Sequence, residues 1–372
     1  MAIDATNDAV GYHYGKFPPE LKIEAFINEF ASALMAISRY DQMLKNMHNS
    51  EILLAPLRNQ EAVISSRMEG TISTMDEILQ YQADFDNGDI ASSETRSEII
   101  ETALYERALK NAQLSMEEGQ PLSKFLIRAA HAILLSFGRG ALKSPGQFKI
   151  DQNYLADGRG NILFVPISPE RLEEGLDSLF SYIETGGHVD LIKAAVAHVE
   201  FEALHPFKDG NGRIGRMLIT LMLWKAKLIS QPHYYISGYF EEHKDQYIDS
   251  MRRVSEENDW EGWCKFFLKA IEEQANKNLA IVEEISNLYK EMQFRFADVL
   301  SSKSSGAVLD FLFTYPVFKT SKFVGSENIS TASAPRFIKL LVENELLVMI
   351  EEGAGSRPAR YRFEPLMKLL RV

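Results

Sequence analysis

A mainly α-helical protein, with one small β-hairpin and a separate C-terminal module of short helices and paired strands, is the fold this sequence predicts. Three observations lead there. Apolar residues recur at three- and four-residue spacing through most of the chain up to about residue 300. Strict alternation is confined to one stretch centred on Gly158 and Gly160, and a serine-rich break at 301–306 precedes a change of texture.

Taken in order, Pro18 and Pro19 mark a boundary before a helix over 23–44. Ile52, Leu53, Leu54, Leu57, Ala62, Val63 and Met68 give a helix or helix pair, and Gly70 stands just past its end, where a left-handed residue is favoured. Helices follow over 94–116 and 122–135, separated by Gly119, Gln120 and Pro121. Residues 146–150 and 154–165 alternate on either side of the glycine-rich centre and read as a hairpin. Leu191, Ala194, Ala195, His198, Phe201 and Glu202 share a helical face, and Pro206 biases His205 out of the helical region, so that helix stops at the histidine. The next covers 213–225, with Met217, Leu218, Leu221, Met222 and Trp224 apolar and Asn211-Gly212 at its cap. A helix starts within 239–247, and a long one covers 260–291. Beyond the break, helices over 307–313, 319–324 and 335–344 precede strands at 346–350 and 361–363 that flank Gly353, Ala354, Gly355 and Ser356. That order resembles a winged helix-turn-helix.

Composition sets the class. The chain has 372 residues, which fits two or three domains, and its 45% hydrophobic content is evenly spread, as in a soluble globular protein. Its net charge is −12. No apolar run approaches the ~18 residues of a membrane span, and the segment 1–6 carries acid where a signal peptide carries base, so a cytoplasmic location is expected. Cys264 is the single cysteine, which leaves neither an intrachain disulfide nor a cysteine metal site.

The chemistry concentrates in His205-Pro206-Phe207-Lys208-Asp209-Gly210-Asn211-Gly212-Arg213-Ile214-Gly215-Arg216. This turn opens onto a helix N-terminus, where free N–H groups and the helix dipole favour an anion. Gly210 and Gly212 remove side chains that would keep a phosphate away, and Arg213 and Arg216 lie three apart, spaced to serve neighbouring phosphates. Asp209 supplies hard oxygen for magnesium. Two other readings are weaker. Gly210, Gly212 and Gly215 spell G-x-G-x-x-G, but a dinucleotide site needs a strand before it. His198, Glu202 and His205 have metal-ligand spacing, but Pro206 spoils the shared face.

The stretch fits H-P-F-x-[DE]-G-N-G-R-x-x-R at every fixed position, and so resembles the Fic family of protein adenylyltransferases. The resemblance implies a Fic helical core with His205 as general base for a protein hydroxyl attacking the α-phosphate of ATP. It places Mg2+ on Asp209, α- and β-phosphate oxygens on Asn211 and the Gly210 and Gly212 amides, and β- and γ-phosphates on Arg213 and Arg216. Lys208, with Leu155 and Ala156 of the hairpin, or flap, lines the nucleotide; Phe207 anchors the loop. Ser65-Ser66-Arg67-Met68-Glu69-Gly70 fits the family's inhibitory pattern [ST]-x-x-x-E-[GN], which implies that Glu69 pairs with Arg216 and stands where the γ-phosphate belongs. Tyr247 is the candidate to stack on adenine. The arginine usual after Gly-x-Phe is Lys149 here.

The expected organisation is an N-terminal helical region carrying the inhibitory motif (1–115), a catalytic domain (116–300) and the winged-helix-like domain (301–372). The expected enzyme is an autoinhibited nucleotidyltransferase that modifies protein targets and itself, with a homodimer among its states and no membrane partner. The alternatives are a nucleotide-sensing, DNA-binding transcriptional regulator, and a Fic enzyme that moves another phosphate-containing group or removes AMP. A DNA reader would lay 331–339 in a major groove with Arg357, Arg360 and Arg362 on phosphates. From residue 279 onward, 12 Lys and Arg face 11 Asp and Glu, so DNA is not the favoured partner.

Overall fold

The computed structural model describes residues 9–46, 50–84, 96–355 and 357–371; the acidic segment 1–6, Ser356 and the side chains of Ile52 and Leu53 lie outside the described residues. The chain starts with β1 (Val10–Gly11), then α1 (Ile27–Lys45), α2 (Ser50–Met68), α3 (Met75–Asp84), α4 (Ser97–Glu117) and α5 (Lys124–Leu134). A three-stranded sheet uses β2 (Leu155–Ala156) and β3 (Ile162–Val165), with β3 between its antiparallel partner β2 and the parallel β1. There follow α6 (Pro169–Thr185), α7 (Asp190–Leu204), α8 (Asn211–Lys225), α9 (Ser237–Glu242), α10 (Lys244–Glu257) and the 41-residue α11 (Trp260–Leu300). The C-terminal module comprises α12 (Ser305–Thr314), β4 (Val317–Lys319), α13 (Thr320–Val324), α14 (Ala334–Glu343), β5 (Leu347–Glu351), β6 (Arg360–Phe363) and α15 (Glu364–Leu370). Its strands form an antiparallel sheet in the order β4-β6-β5.

Local chemistry sets several boundaries. Ser123 Oγ accepts from Leu126 N–H at the start of α5, and the Asp259 carboxylate accepts from Gly262 N–H at the start of α11. Thr74 and Glu77 exchange side-chain and backbone bonds at the start of α3, a capping box. Ser301, at φ 44°, stops α11. That helix runs beyond the expected 291 because Met292, Phe296 and Leu300 continue its apolar stripe.

Burial divides α11 between two cores. Trp260, Trp263, Phe267 and Ile271 sit in a large core with α1, α4, α5, α7 and α8, whereas Ile285, Met292, Phe296 and Leu300 sit in a second core with the C-terminal module. Met75 and Leu79 of α3 belong to the second core, so the segment that follows Glu69 is packed against the C-terminal module. Helix α7 is apolar almost all round and is buried almost all round, which fixes the position of its C-terminal end.

Three expectations need correction. Residues 146–150 are not a strand: Phe148 packs on Phe207 at 5.2 Å, and Lys149 N–H donates to the Pro206 carbonyl at 2.8 Å, so the segment pairs with the turn after α7 instead of with β2. The helix expected to start within 239–247 begins earlier, at Ser237, and is broken at His243, with α9 and α10 on either side. The break at 301–306 is shorter than it reads, since α12 begins at Ser305. Strand β4 and helix α15 carried no periodicity that marked them. Among the described residues no helix is long and apolar enough to cross a membrane.

Candidate active site

Helix α7 ends because His205 adopts a left-handed conformation, φ 45° and ψ 60°, while its N–H still donates to the Phe201 carbonyl at 3.0 Å. The chain then turns through Gly210, at φ 77°, into α8. Three contacts shape the turn. Phe207 is fully buried and stacks on the His131 ring of α5 at 3.8 Å. His131 accepts from Gly146 N–H at Nδ1 (2.8 Å) and donates from Nε2 to the Asp209 carbonyl (2.9 Å); burial lowers its pKa to about 4, so it holds the turn as the neutral ring. The Asn211 carboxamide closes on Phe207, accepting from its N–H and donating to its carbonyl, both at 2.8 Å. The Asn211 side chain thus braces the loop, and what α8 presents to an anion is its first-turn N–H groups, that of Asn211 among them, which have no intrahelical acceptor.

The two arginines differ. Arg213 is 3% exposed, its Nε and Nη1 form no hydrogen bond, and its nearest acid, Asp209, lies 3.7 Å away. Burial lowers its pKa, the mark of a guanidinium short of counter-charge. Arg216, 2% exposed, is held from two of its three nitrogens: Nε donates to Ser65 Oγ (2.8 Å), and Nη2 to the Ser65 carbonyl (2.9 Å) and to Glu69 Oε1 (2.8 Å). Burial alone would raise the Glu69 pKa, but Arg216 pulls it below the usual carboxylate range. The stability this pair contributes is therefore present above the ordinary carboxylate value and is lost as pH falls through the lower folded value. Glu69 presses on α8 itself, since a Cβ at position 212 would lie 2.2 Å from its Oε1. Gly70, at φ 81°, ends α2 as the sequence suggests. A two-bond Arg67–Glu241 pair, both at 2.6 Å, and Lys244 Nζ on the Met68 carbonyl (3.2 Å) hold that end against α9 and α10.

The His205 ring is half-buried and its Nδ1 forms no hydrogen bond. Burial first, and Lys149 second, lower its pKa to about 4, so it is unprotonated at neutral pH. Glu202, three residues earlier, is raised by burial to about 8 and is neutral there. The metal-ligand spacing of His198, Glu202 and His205 comes to nothing: His198 donates from Nδ1 to the Gly215 carbonyl (3.1 Å) and accepts at Nε2 from the Tyr247 hydroxyl (2.8 Å). Among the described residues no group of three or more His, Cys, Asp or Glu is placed to hold a metal.

The expectation for Tyr247 needs correction. It is 4% exposed and stacks on Phe240 at 4.3 Å, so no face is open to a purine; its helical spacing reflects core packing. Lys208 is exposed, 3.5 Å from Asp151. Leu155 and Ala156 form the outer strand β2. Asp209 lies at the turn, its Oδ1 accepting from Gly210 N–H at 2.6 Å. His131, Ser65 and Glu202 are the residues that motif reading left without a role.

Comparison with known proteins supplies the context. The Fic/DOC family model matches residues 121–223, and the model of the family's N-terminal region matches 27–113; together they cover just over half of the chain. Protein adenylyltransferase fic-1 of Caenorhabditis elegans is 30% identical over 152 residues, which is 40% of this chain and 28% of that protein. A probable protein adenylyltransferase of Aquifex aeolicus, aq_aa38, is 27% identical over 94 residues, 25% of this chain and 27% of that one. The chain thus spans little more than a quarter of these curated relatives. A Fic family protein from Desulfovibrio desulfuricans G20 shares the fold across 93% of this chain and 98% of its own, with a TM-score of 0.59 at 19% identity. The structure of residues 134–508 of C. elegans Fic-1 overlays 70% of this chain and 74% of its own, with a TM-score of 0.53 at 20% identity.

Proposed function

The chain belongs to the Fic/DOC family, and from that premise we propose that it transfers AMP from ATP to a hydroxyl side chain of protein targets and of itself, under autoinhibition by Glu69. The carrying observation is the contrast between the arginines of α8: Arg213 is buried with Nε and Nη1 free of hydrogen bonds and only a 3.7 Å contact to Asp209, and Arg216 is gripped by a carboxylate that mimics a phosphate oxygen.

In this reading His205 takes the proton of the target hydroxyl, whose oxygen attacks the α-phosphorus. The bond from that phosphorus to the oxygen bridging to the β-phosphate breaks, and pyrophosphate leaves. Arg213 receives the β-phosphate, and Arg216, once released, receives the γ-phosphate. The N–H groups at the start of α8 receive the remaining oxygens. Asp209 is a single carboxylate, which suits a magnesium ion that takes its other ligands from phosphates and water. When bound, the ion would neutralise phosphate charge.

Incubation with ATP labelled on the α-phosphate, against ATP labelled on the γ-phosphate, tests the reaction type. Protein-bound label from the α position alone is expected; retention of γ label would contradict AMP transfer.

The DNA-binding reading loses ground on one observation: its arginines face acids. Arg357 lies 3.1 Å from Glu351, and Arg360 pairs with Asp84 and Glu351. Arg362 pairs with Asp76 at 3.0 Å and Glu364 at 2.7 Å. A duplex would have to displace carboxylates from α3. No salt-sensitive complex with duplex DNA is therefore expected at low ionic strength, read by fluorescence anisotropy; one that weakened steeply with salt would restore that reading.

A further inference from the structure

Four consecutive carbonyls around His205 are each tied by one upstream segment. Lys149 Nζ donates to the Leu204 carbonyl (3.0 Å), and Lys149 N–H to that of Pro206 (2.8 Å). Asn153 Nδ2 donates to the carbonyls of His205 (3.0 Å) and Phe207 (3.1 Å), and Lys149 Nζ also donates to Asn153 Oδ1 (2.8 Å). These bonds fall where they are most needed. A non-glycine residue in the left-handed region is strained, and the carbonyls of the last helical turn have no partners of their own.

We propose that Lys149 and Asn153 are positioning residues for the base: they fix the left-handed backbone of His205 and so aim its ring at the target hydroxyl. The inference rests on the adenylyltransferase reading and extends it to residues outside the motif. Lys149 is 3% exposed, so its ammonium group has little water around it and acts on the ring at close range. Its charge disfavours protonation of His205, against the opposite pull of Glu69 from α2 and Asp209 from the turn; Glu202, on α7 itself, is neutral at neutral pH. Burial lowers the Lys149 pKa to about 7, so this influence is fullest in acid, where His205 titrates.

The test uses the Glu69→Gly protein as parent, with Asn153→Ala, Lys149→Met or Lys149→Arg added. Asn153 is half-buried, so its truncation spares the core. With Asn153→Ala, kcat should fall about 10–100-fold while KM for ATP stays within about threefold, because misaiming a base costs the chemical step and not phosphate binding. The same change in a His205→Ala background should cost nothing more. NMR titration of the His205 ring should show its pKa rising in Lys149→Met and staying in place in Lys149→Arg. Unchanged kcat in Asn153→Ala, equal loss without His205, or an unmoved ring titration in Lys149→Met would overturn the proposal. A parent that transfers no AMP overturns the adenylyltransferase reading instead, and the backbone chemical shifts of His205 still decide its positioning: they should leave the left-handed range in Asn153→Ala, and unchanged shifts would overturn the proposal.

Discussion

Glu69→Gly should raise AMP transfer on the order of 10- to 100-fold, most visibly as modification of the protein by itself. The carboxylate holds Arg216 at 2.8 Å and presses against Gly212, so it occupies both the guanidinium and the space in front of α8. Removing it frees an arginine to take the γ-phosphate, and a hydrogen bond to a charged group contributes about 1.5–3 kcal/mol, which sets the size of the gain. Arg216→Ala on top of Glu69→Gly should erase it. Ser65 remains bonded to Arg216 in the single variant, so the helix should stay folded, which a thermal melt checks. Unchanged or lower transfer by folded Glu69→Gly would make Glu69 an ordinary structural ion-pair partner.

His205→Ala, read in the Glu69→Gly protein, should lower transfer about 10²–10⁴-fold, the usual worth of a positioned general base. ATP affinity should stay within a few fold, since Arg213, Arg216 and the first turn of α8 are untouched. The pKa of about 4 makes His205 an unprotonated base throughout the neutral range, so transfer should fall only in acid, as the ring charges. Transfer that survives the substitution would give the proton to another group.

Much of the site was legible because its chemistry allows few substitutes. A base followed by proline, two glycines at a helix start and two arginines three apart imply one turn, and the structure has that turn between α7 and α8. The Glu69–Arg216 contact was legible only through the family resemblance, because a carboxylate near a helix end carries no sign of a partner 147 positions away. Tyr247 misled because an aromatic at helical spacing looks the same whether its face meets a ligand or Phe240. Lys149, Asn153 and His131 were opaque for another reason. They act on main-chain atoms, and a bond to a carbonyl requires no matching residue type that would leave a pattern. In the C-terminal module, helix α14 and strands β5 and β6 followed periodicity, whereas the pairing of its arginines with α3 depends on how two distant segments pack.

Intact-mass measurement of the Glu69→Gly protein after incubation with ATP and magnesium, beside Glu69→Gly/His205→Ala, tests most directly that this site moves AMP and that Glu69 restrains it. The expected result is a mass gain of one or more adenylyl groups on the first protein and none on the second, with the wild-type chain close to unmodified. An unchanged mass for Glu69→Gly, a gain that matches phosphoryl groups, or equal adenylylation of the His205→Ala protein would contradict the account.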